Sequence, residues 1–126
     1  METSDYVSYE VANELSSAGF RETTLGKYVD CPTDPTLFHG MFYEPWNLED
    51  GEMLAPSLWQ AAKWLRGQGY IISIEPSFSK YSDNISYIGR LYSVAERGEI
   101  YSCSGDCGYE KAFELCMKRA LQLLNE

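Results

Sequence analysis

Leu54-Ala55-Pro56-Ser57-Leu58-Trp59-Gln60-Ala61-Ala62-Lys63-Trp64-Leu65-Arg66-Gly67-Gln68-Gly69 carries the clearest helical signal in the chain. Leu58, Ala61, Ala62 and Leu65 recur at helical spacing and form one apolar stripe. Trp59 and Trp64 flank this stripe and are expected to widen it. Pro56 suits the first turn, where its missing N–H has no intrahelical partner. Gly67 and Gly69 stop the helix, and Tyr70-Ile71-Ile72-Ser73-Ile74 follows as a strand.

Towards the N-terminus, Glu44–Met53 reads as a loop rich in acids and turn formers. Before it, Leu37–Tyr43 reads as a strand. Phe20–Asp30 is more weakly strand-like, and Cys31-Pro32-Thr33-Asp34-Pro35 is a turn by composition. A hairpin follows from that order, with Gly26 and Gly40 both interrupting its pattern. Ser8–Gly19 reads as a first helix, capped by the Ser8 hydroxyl and closed by Gly19 in a left-handed conformation.

Towards the C-terminus, Tyr70–Phe78 contains Pro76, which suggests an edge strand or a bulge. Ile85–Val94 alternates Tyr87, Gly89, Leu91 and Ser93 on one side with Ile88, Arg90, Tyr92 and Val94 on the other. Glu99–Ser102 is a third short strand. The last helix spans about Tyr109 to Leu124, with Ala112, Leu115, Cys116, Arg119, Ala120 and Leu123 along one face and Phe113, Met117, Leu121 and Leu124 widening it into a broad apolar arc. The order helix, hairpin, helix, three strands, helix defines an α+β class: an antiparallel sheet with helices on one face, read as a single domain over residues 1–126.

The chain has 126 residues and a net charge of −9. The charge is unevenly spread. Residues 1–54 hold eleven acids against Arg21 and Lys27, whereas residues 55–126 are balanced. Such a field repels nucleic acid and favours a basic partner or a cation, although a merely solubilising surface is the simpler reading. No secretory signal and no membrane-spanning run is read, so a cytoplasmic protein with no membrane association is expected. The four cysteines, Cys31, Cys103, Cys107 and Cys116, are then expected as reduced thiols.

Chemistry is sparsely signalled. Cys103 and Cys107, with Cys31 and the single histidine His39, make a loose zinc set, but the spacing is unspecific and no metal or other cofactor is assigned. A Cys31–His39 pair lacks any group to orient the histidine, and Cys107, just before the last helix, lacks a base. Cys116 lies on an apolar helix face and reads as core. No catalytic residue is therefore assigned. Glu49, Asp50 and Glu52 lack calcium-loop spacing. Trp46 beside them is either a loop anchor, the favoured reading, or part of a contact surface. The residues chosen as a candidate binding surface are Trp46, Glu49, Asp50 and Glu52.

The second half has the element order of a double-stranded-RNA-binding domain. Its last helix, however, scatters Lys111, Lys118 and Arg119 among Glu110, Glu114 and Glu126, so the required basic patch is missing. No phosphate loop or dinucleotide fingerprint is present.

Three stretches together carry a likeness. They are Tyr9-Glu10-x-Ala12 running to Ala18-Gly19-Phe20, the Ala55–Arg66 segment, and Gly108-Tyr109-Glu110-x-Ala112. The chain resembles a group of small, functionally unassigned proteins encoded by phages and prophages of gut bacteria. It departs from them at Gly108, where a capping hydroxyl is usual, and in the cysteine-bearing loop before it. The resemblance implies a genomic setting and a bacterial host cytoplasm. It carries no activity and no site residues.

The leading expectation is a non-enzymatic module that binds another macromolecule, a protein with a basic surface. Two rivals stand beside it. One is a small-ligand or metal-binding protein or enzyme using Cys103, Cys107 or His39. The other is a structural or oligomerising component that exposes Trp59 or Trp64.

Overall fold

Helix α1 spans Tyr9–Ser17, and its start follows from Ser8, whose Oγ accepts the Val11 N–H at 3.3 Å. Its end follows from Gly19, at φ +100°, with the Phe20 N–H returning to the Leu15 carbonyl at 3.0 Å. The computed structural model describes residues 3–81, 83–104 and 108–126. The chain divides into two compact units, one running up to Trp64 and including Asn125, the other Leu65–Leu124 with Glu126.

In the first unit, strands β1 (Thr24–Val29), β2 (Thr36–Tyr43) and β3 (Met53–Leu54) form an antiparallel sheet in the order β2-β1-β3. The expected hairpin is present, and the two-residue β3 adds a third strand to it. Val29 pairs with Thr36 and Gly26 with His39, but Thr24 pairs with Tyr43. The register jump leaves Gly40, Met41 and Phe42 bulged, with Gly40 at φ +97°. Gly26 is needed for a different reason. A Cβ there would lie 2.8 Å from both the Ala55 carbonyl oxygen and the Tyr6 ring. Ala55 in turn donates its N–H to the Gly26 carbonyl at 2.9 Å. Val7, Val11, Ala12, Leu15, Phe20 and Leu54 are among the buried residues of this unit.

Helix α2 covers Leu58–Gly67. Its cap is Ser57, whose Oγ accepts the Gln60 N–H at 3.1 Å. Pro56 therefore precedes the helix instead of entering its first turn. It is fully buried, and its carbonyl accepts the Val7 N–H at 3.1 Å. Of the expected stripe, Ala61 and Leu65 are buried while Leu58 and Ala62 are only partly covered, and Trp64 meets the Phe20 ring edge-on at 5.7 Å. Trp59 does not widen the buried face. It is 69% exposed, with the Lys63 ammonium over its ring.

In the second unit, β4 (Tyr70–Phe78), β5 (Ile85–Ser93) and β6 (Gly98–Cys103) form a separate antiparallel sheet in the order β4-β5-β6. The strands thus make two three-stranded sheets where the sequence suggests one. Pro76 lies on the edge strand β4, where a missing N–H is tolerated. Gly89, Leu91 and Ser93 of β5 are buried, and Arg90 on the opposite side reaches Glu99 at 2.7 Å and Glu75 at 3.7 Å. Helix α3 (Tyr109–Leu124) packs on this sheet through Ala112, Phe113, Cys116, Met117, Ala120 and Leu121. All six belong to the expected broad arc, of which Leu115, Arg119, Leu123 and Leu124 are only partly covered. Burial of Leu91 and Leu121 is complete, and each such side chain contributes about 1.5–3 kcal/mol. Among the described residues, no helix is long and apolar enough to cross a membrane.

Candidate functional site

The segment from Glu44 to Glu52 is a built loop. Pro45–Asn47 is one 3-10 turn, closed by the Asn47 N–H on the Glu44 carbonyl at 3.0 Å. The Asn47 side-chain amide also donates to the Glu44 carboxylate at 3.3 Å. At the far end, Glu52 Oε1 accepts the Glu49 N–H at 3.0 Å, and Glu52 Oε2 accepts Lys27 Nζ at 2.8 Å. The Cys31 N–H is bonded to the Gly51 carbonyl at 2.9 Å, which ties the loop to the β1–β2 turn. Hydrogen bonding from Lys27, then from the Glu49 amide, holds the Glu52 carboxyl below the usual carboxylate range.

Of the four candidate binding residues, Glu52 is therefore committed to holding the loop. Glu49 and Asp50 are exposed at its tip. Trp46 is 73% exposed, which sets aside the anchor reading. Leu48 takes that part instead, because it is half-buried and lines two clefts beside the turn. One cleft, of about 220 Å³, is also walled by Phe20, Arg21, Pro45 and Leu54. The other, of about 310 Å³, is walled by Lys27, Phe42, Tyr43, Glu44 and Asn47. The first is smaller than an ordinary small-molecule site, and the second is at the lower limit.

The surface missed at the sequence level is β2 itself. Phe38, Met41 and Phe42 are exposed, Phe42 at 77%, and Trp46 follows four residues later. The available signal was the run Leu37-Phe38-His39-Gly40-Met41-Phe42-Tyr43, which lacks the strict alternation of a half-buried strand. Strand β2 lies at the edge of its sheet, so its outer backbone edge has no neighbouring strand in that sheet. The nearby chain is acidic, with Asp34 before β2 and Glu44, Glu49 and Asp50 after it. The two bases of this half are engaged: Lys27 with Glu52, and Arg21 with the Phe20 carbonyl at 2.7 Å.

The residues of the catalytic alternative are placed differently. His39 is exposed on β2, with its ring 5.3 Å from that of Tyr6. Cys103 belongs to the other unit and donates its thiol to the Ala112 carbonyl at 3.7 Å. Cys107 lies outside the described residues. Burial, followed by the charges of Asp30 and Glu52, pushes the Cys31 thiol up, away from the reactive thiolate. Among the described residues, no group of three or more His, Cys, Asp or Glu side chains is arranged to hold a metal ion. Comparison with protein-family models, with curated proteins and with solved structures finds no match to this chain.

Proposed function

We propose that this chain is a non-enzymatic binding module of phage or prophage type, acting in the cytoplasm of a bacterial host, whose partner is a protein with a basic surface. The observation that carries the reading is the exposure of Phe42 and Trp46 at the end of the β2 edge, in a chain segment whose charge is strongly negative. Exposed aromatic side chains supply contact area at low conformational cost, and an acidic rim steers a basic partner and suppresses acidic ones. The loop that presents Trp46 is fixed at both ends by hydrogen bonds, so little ordering is left for binding.

The test uses the tagged full chain as bait in bacterial lysate at low and then moderate salt, with recovered proteins identified by mass spectrometry. The expected result is a basic protein recovered in stoichiometric amount. It is lost with the Phe42→Ser/Trp46→Ser bait, and weakened both by salt and by Glu49→Lys/Asp50→Lys. Equal recovery by all baits, or an empty capture at low salt, overturns the reading.

A further inference from the structure

Cys103 on β6 pairs in register with Gly89 on β5, and Cys116 on α3 packs over the same position. A Cβ at Gly89 would lie 2.8 Å from Cys116 Sγ, 3.0 Å from Cys103 Sγ and 2.9 Å from the Ala112 carbonyl oxygen. Both sulfurs therefore share the hollow left by the missing side chain of Gly89. Both are free thiols. Their exposures differ: Cys116 is fully buried, whereas Cys103 is only partly covered.

We infer that Cys103 and Cys116 are an oxidation site, a thiol pair that closes to a disulfide on reaction with a low-molecular-weight disulfide. Cys103, as thiolate, attacks one sulfur of the small disulfide. That disulfide breaks, its other sulfur leaves and takes up a proton, and a mixed disulfide remains on Cys103. Cys116 then gives up its proton and attacks Cys103 Sγ, expelling the second small thiol. The two protein thiols lose two electrons and two protons, and the small disulfide gains them as two thiols.

The order of the steps is fixed by access. Burial, together with the charge of Cys103 and a hydrogen bond to it, pushes the Cys116 thiol up to about 12, so Cys116 resolves and does not initiate. The product ties the end of β6 to the middle of α3.

The test incubates the full-length protein with oxidised glutathione at about pH 8, where thiol exchange is brisk. The reaction is quenched with acid, remaining thiols are alkylated, and peptides are mapped by mass spectrometry. Wild type and Cys107→Ser are run in parallel. The expected product in both is a Cys103–Cys116 linked peptide without retained glutathione, and a melting temperature several degrees above that of the reduced protein. In Cys116→Ala, Cys103 is expected to stop as the glutathione adduct. The inference is overturned by any of three results: an adduct that persists on Cys103 in the wild type, linkage of either thiol to Cys31 or Cys107 in its place, or both thiols still open to alkylation.

Discussion

Lys27 Nζ and Glu52 Oε2 lie 2.8 Å apart, with both side chains more than four-fifths covered, and this contact joins β1 to the end of the Trp46 loop. The Lys27 ammonium also sits 5.0 Å from the centre of the Tyr43 ring. Removing one member leaves the other partly buried and without its ion-pair partner. Lys27→Met is expected to destabilise the protein by about 1–3 kcal/mol, read by urea denaturation.

The same contact makes stability depend on pH. The folded-state pKa of Glu52 is depressed, so its contribution is whole above the unfolded carboxylate value of about 4.3 and is lost as pH falls through the folded value. Thermal melts of wild type and Glu52→Gln are expected to differ most near neutral pH and to converge as the solution is acidified below that value. Curves that stay parallel down to the acid limit refute the assignment.

Gly26→Ala places a methyl group 2.8 Å from a backbone oxygen and from an aromatic ring, and the backbone atom cannot swing aside. The expected loss is about 1–3 kcal/mol, typical of overpacking, with a lower urea midpoint. Gly67→Ala is the control. A Cβ there meets nothing within 4 Å, and the substitution is expected to be neutral or slightly stabilising.

Ser57→Ala removes the side-chain oxygen that accepts the Gln60 N–H at the start of α2. A loss of about 1 kcal/mol is expected, and Ser57→Asp is expected to restore most of it. Circular dichroism melts of the three proteins decide the matter.

Cys116 is buried, with its thiol raised to about 12. Below the unfolded thiol value of about 8.5 this adds stability, and the gain is lost as pH rises from there through the folded value. Near pH 8 the native protein is expected to show Cys116 alkylated at least about 100-fold more slowly than the same thiol in denaturant. Mass spectrometry after timed quenching measures the ratio.

Much of the fold was legible because its signals are local. Ser8 caps α1, Gly19 closes it, the Leu58–Leu65 stripe buries Ala61 and Leu65, and Pro76 marks an edge strand. Less legible were features set by tertiary contacts. Pro56 lies outside α2 because Ser57 offers the better cap, a choice that depends on the chain geometry around Val7. The partition into two sheets depends on long-range pairing that periodicity does not encode. Within the candidate site, the residue types of the Trp46 loop were visible, but the commitment of Glu52 to Lys27 spans twenty-five residues and left no local trace. The exposure of Phe38, Met41 and Phe42 was hidden for the opposite reason, because apolar strand residues read by default as core.

The bulge at Gly40-Met41-Phe42 has a consequence for how this molecule behaves in a crowd. A long, uncharged, aromatic-bearing edge is a template on which identical strands stack, the first step of fibril growth. Here the outer edge of β2 runs straight only from Thr36 to His39 before the left-handed Gly40 breaks its line. Four residues are too few to seed lateral accretion. The kink that leaves Met41 and Phe42 exposed also denies a second copy a continuous ladder along this edge.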